Sequence, residues 1–258
     1  MKRILLAIIL AMPIFSFAQT PPIEPGVSLE LAKWRAAHYS DVRYKLNLTL
    51  EKMSPVLKGT IEIRVKLSEP GAVATGFSVP IILDWRKLKG YEERSTISNV
   101  SVNGQAAAVQ NHPVAEAATP LHGKEGSLVY QEQAEHLIFR DGVVEGENVI
   151  KLDFTSPILT SGSAITRYVD KEDGSEYIYS LFVPSDASTA FPVFDQPDLK
   201  ARFTLTLSAP KSWRSIVSNF ELDHMIIVDG ICGLPLQNPN LSTLLKPGAK
   251  PAPSQTPR

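Results

Sequence analysis

The sequence predicts an all-β fold: an antiparallel β-sandwich or curved sheet of about ten strands with one short N-terminal helix. Three observations predict it. Two long stretches, 42–50 and 60–67, alternate apolar and polar side chains with a period of two. Further short apolar runs follow, separated by turn-forming residues. Only one segment carries helical spacing.

That segment is 28–39. Ser28 can cap it, and Leu29, Ala32 and Ala36 recur at helical spacing with Leu31 beside them. The period then changes. Val42, Tyr44, Leu46, Leu48 and Leu50 alternate with Arg43, Lys45, Asn47 and Thr49. Ile61, Ile63, Val65 and Leu67 alternate with Thr60, Glu62, Arg64 and Lys66. Both are strands with one wet face, and Gly59 marks the turn region of an antiparallel hairpin. Residues 80–83 form a short apolar strand. Residues 97–102 lead into Asn103-Gly104, a strong two-residue hairpin signal. The small-residue stretch 106–126 reads as a long loop. Strands are expected at 136–139, 148–154, 177–182, 201–207 and 213–217.

Composition bounds the function. The chain has 258 residues, enough for one large β domain or two small ones. Lys and Arg total 26 and Asp and Glu 27, a net charge of −1, so no positive field attracts nucleic acid or anionic lipid. Hydrophobic residues make up 43% and charged residues 21%, a globular composition. Cys232 is the single cysteine, which excludes an internal disulfide and a Cys-rich zinc site.

The start reads as an export signal over 1–18: Met1-Lys2-Arg3, an apolar run from residue 4 to 17, and the ending Ser16-Phe17-Ala18. The run is shorter than the roughly 20 residues that span a bilayer. Cleavage after Ala18 would place the chain in the periplasm or outside the cell, with no membrane association afterwards. Residues 19–27 hold Pro21, Pro22 and Pro25 and read as a linker. The β domain is expected over 28–219. Residues 220–258 read as a divergent, largely disordered tail, with a brief strand at 224–228 and Pro247, Pro251, Pro253 and Pro257 near the end.

Several constellations suggest chemistry and are outweighed by plainer roles. Trp34, Trp85 and Trp213 could form a sugar platform, but large rings more often pack at sheet edges. Asp170, Glu172, Asp173 and Glu176 crowd one loop without calcium-loop spacing, so a solvated acidic turn is expected. The histidines are His38, His112, His122, His136 and His224. No two stand at helical ligand spacing, and neither H-E-x-x-H nor G-x-S-x-G occurs. His224 and Cys232 lie in a segment that looks poorly structured for a catalytic couple.

The most specific string is 177–201, YIYSLFVPSDASTAFPVFDQPDLKA. Asp186 can fold onto nearby backbone N–H groups in an Asx turn. Pro192 and Pro197 hold the residues before them extended, and Asp195 can accept backbone donors. Phe191 and Phe194 can anchor the loop in the core. A rigid, well-packed loop between strands is expected.

This string resembles the aminopeptidase N family of zinc metallo-aminopeptidases. Pro184, Asp186, Ala187, Ala190, Phe191, Pro192, Phe194, Asp195, Pro197, Leu199, Lys200, Ala201 and Phe203 match a phrase of its N-terminal β domain. Asp41-Val42-Arg43-Tyr44 is similar to the family's opening strand, and Gly59-Thr60-Ile61-Glu62-Ile63 to its second. The resemblance covers roughly 28–219 and ends abruptly after Asn219. It implies that Leu181, Val183, Pro184 and Asp186 form a substrate-edge loop, with Phe191, Pro192, Phe194, Asp195 and Pro197 as its structural motif.

The departures shape the functional expectation. The family places a zinc-binding catalytic domain after this one, and its G-x-M-E-N and H-E-x-x-H motifs are absent here. No cofactor is therefore expected in this chain, although the family uses zinc. The resemblance also implies an acidic or amide side chain that holds the substrate's free amine. Val183 stands just before Pro184 and Leu181 two residues earlier, and neither can pair an ammonium. Ser188 stands where Arg is common, and Val193 where Cys is common. The leading expectation is an exported, non-catalytic, truncated N-terminal domain. One alternative complements a separately encoded zinc domain to cleave N-terminal residues from peptides. Another is a stand-alone module that binds peptide or glycan.

Overall fold

The computed structural model describes residues 20–68, 79–110 and 128–213, together with the backbone of two strands at 226–228 and 231–237. Helix α1 (Leu29–His38) begins at Ser28, whose hydroxyl accepts the Leu31 N–H at 3.1 Å. Its buried side chains are Leu31, Trp34, Arg35 and His38. Leu29 and Ala36 are exposed, which corrects the face expected from the sequence. The helix buries Arg35 and His38 because polar partners await them in the fold.

Strands β1 (Tyr39–Thr49) and β2 (Val56–Leu67) pair antiparallel, as their alternation requires. The inward set includes Tyr44, Leu46, Ile61, Ile63 and Val65. Gly59 lies inside β2 opposite Phe154, and the turn falls nearer Met53, at φ 55°. A side chain at 59 would run into the Phe154 ring, so this glycine serves close packing rather than turning.

The remaining strands are β3 (Ile81–Asp84), β4 (Thr96–Val102), β5 (Gln105–Gln110), β6 (Leu128–Gln133), β7 (His136–Phe139), β8 (Gly146–Pro157), β9 (Ile165–Val169), β10 (Glu176–Ser180), β11 (Ala201–Pro210), β12 (Ile226–Val228) and β13 (Ile231–Gln237). One large curled sheet runs β12-β13-β11-β1-β2-β8-β4-β5-β6-β7-β3. It is the curved-sheet form of the expected all-β fold. Pairing is antiparallel except at β1–β11 and β5–β6, which are parallel. Strands β9 and β10 form a separate two-stranded ribbon.

Asn103 and Gly104 both take positive φ, 50° and 85°, and close the β4–β5 hairpin. Pairing with β4 and then with β6 draws 105–110 into β5, although the sequence suggests a loop over 106–126. Strands β6 and β9 are also absent from the sequence expectation; each is short and is fixed by its neighbours. The expected strand at 213–217 lies outside the described residues except Trp213, whose N–H closes a turn onto the Pro210 carbonyl at 3.0 Å. Within the tail, β12 falls inside the expected brief strand. Strand β13 pairs with β11 from Thr204↔Gln237 to Pro210↔Ile231, so Cys232 lies in a paired strand.

The core lies inside the curl. Trp85, Phe139, Phe154, Ile82 and Leu137 are fully or almost fully buried. Trp34 stacks on His38 at 4.5 Å and meets Tyr39 edge-on. Trp34 and Trp85 therefore pack inside and offer no sugar platform.

Candidate functional site

Strand β10 leads into the candidate loop with alternating roles. Glu176 points inward, bonded to Arg167 Nε at 2.7 Å and accepting the Met53 N–H. Asp170 and Asp173 accept local N–H groups in the turn between β9 and β10. The acidic loop is thus a set of Asx turns plus one buried ion pair.

The outward side of β10 is apolar. Tyr177 and Tyr179 are followed at the same spacing by Leu181 and Val183, and Tyr168 of β9 stands opposite Tyr177. All five are more than half exposed, Leu181 at 59% and Val183 at 73%. Val183 and Pro184 are joined by a cis peptide bond.

Beyond Pro184 the loop turns inward. The Asp186 carboxylate pairs with Arg86 and makes no bond to the turn that follows, which corrects the expected Asx turn. The Asp186 carbonyl accepts both the N–H and the hydroxyl of Thr189 instead. Phe191, Pro192 and Phe194 are buried, as the loop's packing role requires, while Pro184 and Pro197 are exposed. Phe191 meets Phe182 edge-on at 5.6 Å. Phe194 packs on Tyr39 and lies under the Arg35 guanidinium, and its N–H donates to the Tyr44 hydroxyl at 3.0 Å.

Asp84 organises the loop from below. Its backbone pairs both ways with Val193, and its Oδ2 accepts the Asp195 N–H at 2.7 Å. Arg35 meets both of its oxygens, and His136 Nδ1 lies 2.9 Å from Oδ1. Burial alone would push the Asp84 carboxyl up. The Arg35 charge and the donors around it outweigh burial and hold it below the usual carboxylate range. Asp195 accepts the Ser188 N–H at 3.0 Å, as expected of it. Burial pushes its carboxyl up, and the Asp84 charge adds to that.

Sequence reasoning missed Arg35, Asp84 and Arg86, and it named His136 without placing it at this loop. A signal existed for Asp84, which ends an apolar run as a lone carboxylate. Another existed for Arg35, one position after Trp34 and four after Leu31 on the helix.

Zinc does not fit these residues. His38 Nδ1 contacts the Trp34 carbonyl, and His136 Nε2 contacts the Glu24 carbonyl. Asp84 is taken up by Arg35. Among the described residues no group of three or more His, Cys, Asp or Glu side chains could hold a metal ion. His112, His122 and His224 lie outside them.

A family model of the peptidase M1 N-terminal domain matches residues 40–226. The chain belongs to this family. The match takes in every element from β1 through β11, and helix α1 and the segment before it lie outside the match. The M1 domain is 36% identical over 78 residues to aminopeptidase N of Streptomyces lividans, covering 30% of this chain and 9% of that protein. It is 25% identical over 116 residues to probable M1 family aminopeptidase 1 of Encephalitozoon cuniculi, covering 44% of this chain and 13% of that one. The chain therefore spans only a small fraction of the curated relatives it matches. Native leukotriene A4 hydrolase from Saccharomyces cerevisiae shares the fold, with a TM-score of 0.51 and 15% identity over 78% of this chain and 27% of that one.

Proposed function

We propose that this M1 N-terminal domain is a non-catalytic docking module, exported from the cytoplasm, that packs against a zinc-peptidase domain and forms one edge of its substrate site. The observation that carries the reading is the outward face of the ribbon. Tyr168, Tyr177, Tyr179, Leu181 and Val183 form one continuous apolar stripe with no charged side chain among them. A stripe of this kind marks an interface. The much greater length of the M1 relatives supports a peptidase domain as its occupant, on this chain or on another. The basic start and short apolar run of 1–18 support export, to the periplasm or beyond.

The edge so formed is non-ionic. Leu181 and Val183 cannot neutralise a substrate ammonium, so the domain contributes shape and apolar contact to the peptide's first residue rather than charge. The buried Trp34 and Trp85 leave the glycan-binding alternative without its main support.

Co-purification with an M1 peptidase domain tests this. The wild-type domain is expected to bind, and Tyr179→Lys or Leu181→Lys to abolish binding while leaving the fold intact. Absence of binding by the wild-type domain, together with one zinc per isolated chain and chelator-sensitive arylamide cleavage, would overturn the reading.

A further inference from the structure

The segment 20–27, ahead of α1, is seated on the domain at three points. Ile23 packs against the core. The Glu24 carbonyl lies 2.9 Å from His136 Nε2, and the Gly26 N–H donates to Glu135 Oε2 at 2.9 Å. Gly26 takes φ 77°, which lets the chain bend over the β6–β7 turn that carries Glu135.

Beneath the segment lies a polar cavity of about 120 Å³. Its walls include Gly26, Asp84, Arg86, His136, Ser188 and Asp195. The segment therefore closes one side of a space whose far side is the candidate loop. A continuous run of contacts links the two. His136 touches Glu24 through Nε2 and faces Asp84 through Nδ1. Asp84 accepts the Asp195 N–H, and Asp195 accepts the Ser188 N–H.

We propose that residues 20–27 are a latch: their seating over this cavity sets the order of the 185–196 loop and, through it, of the Leu181–Val183 edge. Seated, the latch keeps bulk water from Asp84 and His136, where weaker screening strengthens the contacts that pin the loop. Lifted, by cleavage or by capture of the segment, it hydrates the cavity and loosens the loop while leaving the β2–β8 pair of the sheet in place. The latch precedes the residues matched by the M1 family model.

Hydrogen exchange on the full chain tests it, since local opening shows in the amides concerned. Gly26→Pro removes the donor to Glu135 and forbids the positive φ. Glu135→Ala removes the acceptor of the same contact from the other side. Both are expected to speed exchange at Ser188, Val193, Phe194 and Asp195 by about tenfold or more. The Ile61 and Ile150 amides in the β2–β8 pair are expected to keep their wild-type rates. Unchanged loop protection in both variants would overturn the latch. Equal acceleration of loop and sheet would also overturn it, because the segment would then be a general stabiliser.

Discussion

Arg35 and Asp84 meet in a buried two-bond pair, Nη1 to Oδ2 at 2.8 Å and Nη2 to Oδ1 at 2.6 Å. The pair joins α1 to the end of β3, and Asp84 in turn holds the Val193–Asp195 backbone. Breaking a buried pair strands one charge, which typically costs about 3–5 kcal/mol. Asp84→Asn and Arg35→Met are each expected to fall in that range in denaturant melts. A loss under about 1 kcal/mol would mean that the stranded partner reaches water.

Acid sensitivity follows from the same carboxylate. The folded Asp84 titrates below its unfolded value, so its stabilisation is fully present above about pH 4 and is lost as pH falls through the folded value. Asp195 has the opposite sign. Its folded carboxyl titrates above the unfolded one, so stability falls as pH rises from the unfolded value, and the loss is complete once pH passes the folded value. Stability measured from pH 2 to pH 7 is expected to drop at the acid end for the wild type and to flatten in Asp84→Asn. In Asp195→Asn, stability relative to wild type is expected to rise from pH 3 to pH 7, since Asn can still accept the Ser188 N–H.

Close packing at Gly59 gives a third test. A Cβ there would collide with the Phe154 ring and come within 3.0 Å of the Asn47 carbonyl, both held by long strands. Gly59→Ala is expected to cost about 1–3 kcal/mol through overpacking. Gly59→Ala with Phe154→Leu is expected to recover part of that loss relative to Phe154→Leu alone, which a double-mutant cycle reads directly.

The loop's anchors give a fourth. Phe191 and Phe194 are each about 5% exposed and contact aromatic partners on different elements. Truncation of either to Ala is expected to cost about 3–5 kcal/mol. Chemical denaturation checks it, and a loss below about 1 kcal/mol would show that the loop contributes little to the core.

These residues also show where the sequence speaks and where it does not. Alternation in β1 and β2 is local, so the hairpin was legible, as was the Asn103-Gly104 turn. The burial of Phe191 and Phe194 followed from ring size and their proline-rich setting. The face of α1 was misread because alanines suggest a core and Arg35 suggests water. Its partners Asp84 and Gln196, 49 and 161 positions away, are what make Arg35 a buried residue. The latch was illegible for the same reason, since Glu24 and His136 stand 112 positions apart. Strands β5, β6 and β9 lack strong alternation and form because neighbours offer them edges.

The exposed stripe supports the last prediction. Backbone groups of Glu176, Ile178 and Ser180 face away from β9, because the Leu181 N–H and the Ser175 carbonyl bond across to it. Among the described residues strand β10 therefore offers an open edge beside an apolar face, and no lysine or proline interrupts it between residues 176 and 183. When no peptidase domain covers this surface, the isolated chain is expected to self-associate at high concentration or to bind an apolar dye. Val183→Lys places a charge on the stripe at its most exposed position and is expected to reduce either effect without lowering stability. Val109→Lys, on β5 of the other sheet, is expected to leave both unchanged. A strictly monomeric wild-type chain without dye binding would instead mean that the stripe is too small, or too well hydrated through its three tyrosine hydroxyls, to need a cover.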